Sequence, residues 1–374
     1  MDNLRITFMP TPLKLFFSVL MITALCFGYA AIYFPLDRFD FERLHIFLFN
    51  LCTGGTILLL FTEEKGGFSR RTGTFLGVSL VYALSAFLEV YPVTIFLSLV
   101  LAVIVESIRI ERFSFFPEAF FSLSRSVSGK FHQASLLCLS IGLLFSSLVI
   151  VNNEYLHLVH MEKLVLNTFF LGFSFPISLI GLSVIFSMIQ TGYTSMVRLV
   201  ATACFWVINL GVIIFFVFIL FERFYHQIVV TMALFAAVVV VFLLYLKFGL
   251  KIQQKHFLSS GIGFLIVTAV TGIVYIFLQM APGYDSEQSK WFLRLHVFAS
   301  LYGWNLCGLA VICRYGDFPI RLNSGVVIAV HWLTALVLAP LGTFYPFVAV
   351  LAVLGYLFIV WSLFFSSNGQ EGVL

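Results

Sequence analysis

Two short segments carry the residues best suited to chemistry. One reads Arg43-Leu44-His45-Ile46-Phe47 and is followed by Asn50-Leu51-Cys52. The other reads Arg294-Leu295-His296-Val297-Phe298 and is followed by Asn305-Leu306-Cys307. Each sets an imidazole just inside an apolar run, with an arginine nearer the polar flank. An ionisable side chain within a bilayer is costly, and it marks a functional site by default. Neutral imidazoles on two facing helices at equal depth are what bis-histidine haem ligation needs. Arg43 and Arg294 are then placed to pair with propionates through charge-assisted bonds. On the face below His45 stand Leu48, Phe49, Cys52 and Thr53; below His296 stand Ala299, Ser300, Gly303 and Trp304. Small residues there leave room for a flat ligand, or let two helices touch. The plainer reading is a histidine at a helix end with its polar tip wet.

A second group lies near the outer ends of other apolar runs. His157 and His160, in His157-Leu158-Val159-His160-Met161-Glu162, are three apart. If that stretch is helical the two share a face and, with His226, could ligate copper or non-haem iron. A solvated loop is the alternative. The spacing is not that of a zinc protease. Cys26, Cys52, Cys138, Cys204, Cys307 and Cys313 form no CxxC pair and lie in or at the ends of apolar runs, as packing residues do.

The elements that must position these groups follow from composition. Of 374 residues, 61% are hydrophobic and 10% charged. A soluble domain carries roughly 25% charged residues, so most of this surface must face lipid. That excludes a soluble enzyme, a disulfide scaffold, a nucleic-acid binder and a disordered chain. The apolar runs are continuous rather than alternating, which excludes a β-barrel. Runs long enough to span fall at about 13–34, 43–62, 73–91, 93–110, 131–151, 161–188, 192–220, 227–249, 257–280, 290–312, 323–342 and 344–365. The expected fold is therefore an all-α polytopic bundle of about twelve transmembrane helices, one domain over 1–374. The first run is a spanning helix rather than a cleavable signal. Residues 111–130 are expected to lie along the interface, and Pro176 to kink the sixth helix.

Of 21 Lys and Arg, only Arg38, Arg43, Lys163, Arg223, Lys290 and Arg294 fall on the side opposite the N-terminus. The positive-inside rule then puts both termini in the cytoplasm. It also puts His45, His157, His160, His226 and His296 at the outer ends of even-numbered helices.

Twelve helices, cytoplasmic termini and outward-lying histidines on the second, sixth and tenth helices resemble the large subunit of the haem–copper oxidase and nitric oxide reductase superfamily. They also resemble smaller related membrane proteins such as the NnrS-like haem and copper proteins. The resemblance implies that His45 and His296 hold a low-spin b-type haem near the outer face, with electrons supplied by a donor protein or a quinol in a bacterial cytoplasmic membrane. It departs from the family at named positions. Arg294 stands where the family has a first histidine on the tenth helix, the seventh helix is followed by His226 alone, and no basic residue joins the last two helices. A reduced relative, with one haem or an altered second metal site, fits these residues. Its expected role is electron transfer or binding of NO or O2. A secondary transporter and a non-catalytic subunit of a membrane complex are the competing readings.

Overall fold

The computed structural model describes residues 9–34, 40–64, 67–122, 124–161, 163–165, 170–190, 195–252, 254–314 and 324–366. Lipid cannot hydrogen-bond the backbone, so a spanning segment must satisfy its own amides and carbonyls. Accordingly, the described residues form helices, with no β-structure beyond one bridge between Ile189 and Gly249.

In chain order the rods are α1 (Thr11–Tyr33), α2 (Phe41–Glu63), α3 (Arg70–Phe87), α4 (Tyr91–Arg112), α5 (Val127–Leu156), α6 (Leu171–Ser187), α7 (Ser195–Leu220), α8 (Phe224–Phe248), α9 (Lys255–Met280), α10 (Ser289–Cys313), α11 (Gly325–Leu341) and α12 (Pro346–Phe365). Among the described residues nine are long and apolar enough to cross a membrane; α6 and α11 are shorter apolar helices, and α3 is 18 residues long. The protein is thus a multi-pass helical membrane protein. Side-chain caps set several starts: Asp40 accepts from the Arg43 amide, Ser69 from Thr72, Ser126 from Gly129 and Ser324 from Val327. Pro92 sits in the first turn of α4, where its missing N–H costs nothing, so α3 and α4 are separate helices.

The helices α2, α6 and α10 form the middle of the bundle. The most apolar window of α2 is 89% buried and that of α10 78%, against 22% for α7 and 28% for α8, which face outward. Small residues let the three central rods close on one another. Gly54 of α2 lies against Ile177 of α6, Gly181 of α6 lies against Trp304 of α10, and Phe49 of α2 meets Tyr302 of α10 with ring centroids 5.1 Å apart. Each central helix also carries a π-helical segment: Phe47–Gly55, Phe170–Ser174 and Ala299–Asn305.

The sixth run, expected over 161–188, is helical at 163–165 and again from Phe170 to Ser187, and residues 166–169 lie outside the described residues. Pro176, expected to kink the sixth helix, stands where the π segment Phe170–Ser174 passes into α-helical turns. Glu106 holds the buried Arg109 through two oxygens while that guanidinium also donates to the carbonyls of Ser114 and Phe115. That clamp turns the chain out of α4 into a loop containing the short helix Glu118–Phe120, where Phe115, Phe116 and Phe121 are exposed.

The closest helix contact is backbone to backbone. A Cβ on Gly142 of α5 would stand 2.3 Å from the Cα of Gly172. Gly142→Ala is expected to cost about 1–3 kcal/mol or more, as overpacking does. Gly77→Ala, which meets nothing within 4 Å, is expected to raise the thermal midpoint of the detergent-solubilised protein slightly, as alanine does in place of a helical glycine.

Candidate functional site

The two sequence segments prove to be parts of a larger repeated unit. In α1 and α2, Nδ1 of His45 lies 2.6 Å from the carbonyl oxygen of Ala24, one turn before Gly28. In α9 and α10, Nδ1 of His296 lies 2.8 Å from the carbonyl oxygen of Thr268, one turn before Gly272. A Cβ on Gly28 would come within 3.0 Å of His45 Nδ1, and one on Gly272 within 3.2 Å of His296 Cε1. The same construction therefore occurs twice. An antiparallel helix offers a carbonyl and then a glycine, and an Arg-Leu-His-x-Phe segment on the next helix fills the gap with its imidazole.

The chemistry of this arrangement is specific. A carbonyl only accepts, so Nδ1 must carry the proton in both rings. The tautomer is thereby set, and Nε2 of each ring, when neutral, keeps its lone pair. Histidines that ligate a metal through Nε2 are held this way, with Nδ1–H on a backbone carbonyl fixing ring orientation and raising ligand basicity. Both imidazoles are enclosed: His45 is 7% exposed, and His296 is partly buried with Thr271 Oγ1 at 3.4 Å from its Nδ1.

The partners of the two rings differ beyond the shared unit. Tyr302, six residues after His296 on α10, brings its hydroxyl to 3.0 Å from Nδ1 and 3.4 Å from Nε2 of His45. The rings of Phe298 and Tyr302 are 5.8 Å apart, and Phe298 also meets Tyr29 of α1 at 6.2 Å. Aromatic side chains thus occupy the α10 face between the position of His296 and the ring of His45. The two arginines part company. Arg43 pairs with Asp40 at 3.3 Å and donates to the carbonyl of Ala86, so it turns toward α3. Arg294 lies over the ring of Phe344, 5.9 Å from its centroid.

The second group is not assembled. His157 ends α5 in the left-handed region at φ 52°, and the residues after it are not helical, so His157 and His160 do not share a helical face. His226 starts α8 against the ring of Phe218 at 4.9 Å. Glu162 lies outside the described residues, as do Arg38 and Asn167. Among the described residues, no three His, Cys, Asp or Glu side chains converge to hold a metal. That corner is tied instead by Lys163, whose ammonium is 2.9 Å from Glu222 and holds its carboxyl below the usual carboxylate range.

Sequence reasoning missed two groups. His331 is fully buried, with Nε2 2.6 Å from the carbonyl oxygen of Tyr302 and Nδ1 without a partner among the described residues. Its only sequence signal was a histidine within an apolar run. Tyr302 gave no signal, because nothing local distinguishes it from the other tyrosines. The repeated asparagines do diverge in partners: Asn305 bonds Ser178 of α6 at 2.9 Å, whereas Asn50 Oδ1 is buried without a partner among the described residues. Comparison with known protein families, characterised proteins and solved structures finds no match.

His45→Ala and His296→Ala are each expected to destabilise the haem-free protein by about 1 kcal/mol or more, because a second bond to a helix carbonyl is lost and a cavity replaces the ring. His226→Ala should stay within about 0.5 kcal/mol, as exposed substitutions do. Denaturation in detergent, read by tryptophan fluorescence, measures both.

Proposed function

We propose that this chain is a haem-binding integral membrane protein in which His45 and His296 would hold a low-spin b-type haem, serving electron transfer or the binding of a diatomic gas. The observation that supports the reading is the duplicated bond from Nδ1–H to a carbonyl of the preceding helix. It commits both rings to the tautomer a ligand needs. The two nitrogen donors, each with its supporting acceptor, are of the type haem takes, and Tyr302 and Phe298, which stand between their positions, would have to move for one group to meet both. The glycines at 28 and 272 are the cradles in which the rings sit.

When bound, haem would supply an iron centre for electron transfer or gas binding, its potential tuned by the residues that hold it and by burial. The chain's own residues then act as follows. Ala24 and Thr268 hold the two rings by accepting their Nδ1 protons. The apolar sides of α2 and α10 exclude water. Arg294, with no ion pair or hydrogen bond among the described residues, is the arginine available to a propionate, while Arg43 is already engaged by Asp40 and Ala86. We also propose twelve membrane passes, with both termini cytoplasmic, on the distribution of Lys and Arg. A second metal site of His157, His160 and His226 is not carried forward, since these residues are not gathered.

Protein purified in detergent from haem-replete cells is expected to show a Soret band with a low-spin reduced spectrum. His45→Ala and His296→Ala are each expected to lose the low-spin signature. A wild-type preparation without a chromophore, and solute uptake driven by an ion gradient in haem-free proteoliposomes, would replace this reading with a transporter.

A further inference from the structure

We propose that a recess between α2, α3, α4 and α5 binds a small amino acid in its zwitterionic form, with Arg43 meeting the carboxylate and Glu154 the ammonium. The proposal is independent of the haem reading. The recess lies at the end of the bundle where α2 and α4 begin and α3 and α5 end, and it offers about 70 Å³ to water-sized groups. One such group needs about 10–15 Å³, so the recess takes about five to seven of them, the size of glycine or alanine. Phe47, Val149 and Ile150 give it an apolar wall. The buried hydroxyls that line it are already bonded: Tyr82 and Ser146 to each other at 2.7 Å, and Thr94 to Ser85 at 3.0 Å. The groups left for a ligand are charged.

Arg43 and Glu154 both line the recess, and the Tyr91 phenol beside them lies in the field of both. Yet among the described residues the two form no ion pair with each other, and Glu154 has no basic partner. Each is held on its own wall. The Arg43 guanidinium is fixed by Asp40 at 3.3 Å and by the carbonyl of Ala86, to which Nη1 donates at 3.1 Å, and this leaves Nη2 without a partner among the described residues. Glu154 belongs to the π segment Asn152–Leu156, which the Asn152 side chain ties to the backbone of Val159 through two bonds of 2.8 Å. The separation is thus built into the main chain, and the two charges meet only through a group placed between them. A guanidinium with free N–H donors suits a carboxylate, and a carboxylate without a basic partner suits an ammonium. A simple anion would be repelled by Glu154 and a simple amine by Arg43, whereas a zwitterion satisfies both. Apolar walls around the pair strengthen each attraction.

Calorimetric titration of the detergent-solubilised full chain with glycine and alanine tests the site, with propionate and tryptophan as comparisons. Saturable binding of glycine or alanine is expected, with tryptophan excluded by its size. Glu154 is exposed and has no basic partner, so Glu154→Gln should fold as the wild type does. That variant is expected to bind alanine about tenfold more weakly or worse, as loss of a bond to a charged group does, and to bind propionate no less tightly than the wild type. Arg43→Lys is expected to weaken alanine and propionate alike. Thermal midpoints report whether each variant is folded; should Arg43→Lys melt early, the contrast between alanine and propionate in Glu154→Gln decides by itself. No binding of either small amino acid, equal alanine binding by wild type and Glu154→Gln, or tryptophan bound as tightly as alanine overturns the proposal. Retention of phosphatidylethanolamine from mixed-lipid nanodiscs, lost in Glu154→Gln and unaccompanied by binding of a free amino acid, gives the recess to a lipid headgroup and overturns it as well.

Discussion

A carbonyl in a lipid-immersed helix normally accepts from its own helix, and a side chain that adds a second bond to it must come from a neighbour packed close enough to reach. That requirement governs the centre of this protein. His45 can reach Ala24, and His296 can reach Thr268, only because a glycine one turn on leaves the ring its space. The same carbonyl bond that closes each helical pair also decides which imidazole nitrogen is left for chemistry. Packing and potential function are therefore one arrangement here: a larger residue at Gly28 or Gly272 would displace both the helix contact and the ring orientation.

The three central helices show how this bundle tolerates polar groups in its interior. Asn305 is met by Ser178, Tyr302 by His45, and the carbonyl of Tyr302 by His331. All three bonds involve the π segment of α10 or the residues beside it. In a low-dielectric interior an unpaired polar group is expensive, and each wide turn leaves its carbonyls differently placed from those of an α-helix. The side chains of α2, α6 and α11 converge on that segment because it presents groups that need partners. The outer helices α7 and α8 have few such demands and expose valine, leucine and phenylalanine to the surrounding lipid.

The arginines show why spacing alone misleads. Arg43 and Arg294 hold the same place in the two Arg-Leu-His-x-Phe segments, yet one is drawn to Asp40 and the carbonyl end of α3 while the other rests on an aromatic ring. The repeat covers the helical pair and not its surroundings. α2 has α3 beside its outer end, whereas α10 has the turn between α11 and α12. Equal local sequence therefore meets unequal neighbours, and a long flexible guanidinium follows the neighbour.

By itself the sequence determined that this is a helical membrane protein, because 61% apolar residues in continuous runs have no other stable arrangement. It also located the two imidazoles, since a histidine within an apolar run stands out against its neighbours. Which helices lie at the centre was decided by tertiary structure, through glycines that meet across helices and that look alike in sequence. The helical reading of His157 and His160 failed for a related reason: α5 ends in a left-handed residue at His157, a local turn that no periodicity announces. The carbonyls of Ala24 and Thr268, and the hydroxyl of Tyr302, were invisible beforehand. A backbone oxygen has no letter in the sequence, and a tyrosine acquires a role only when a fold brings one histidine within reach.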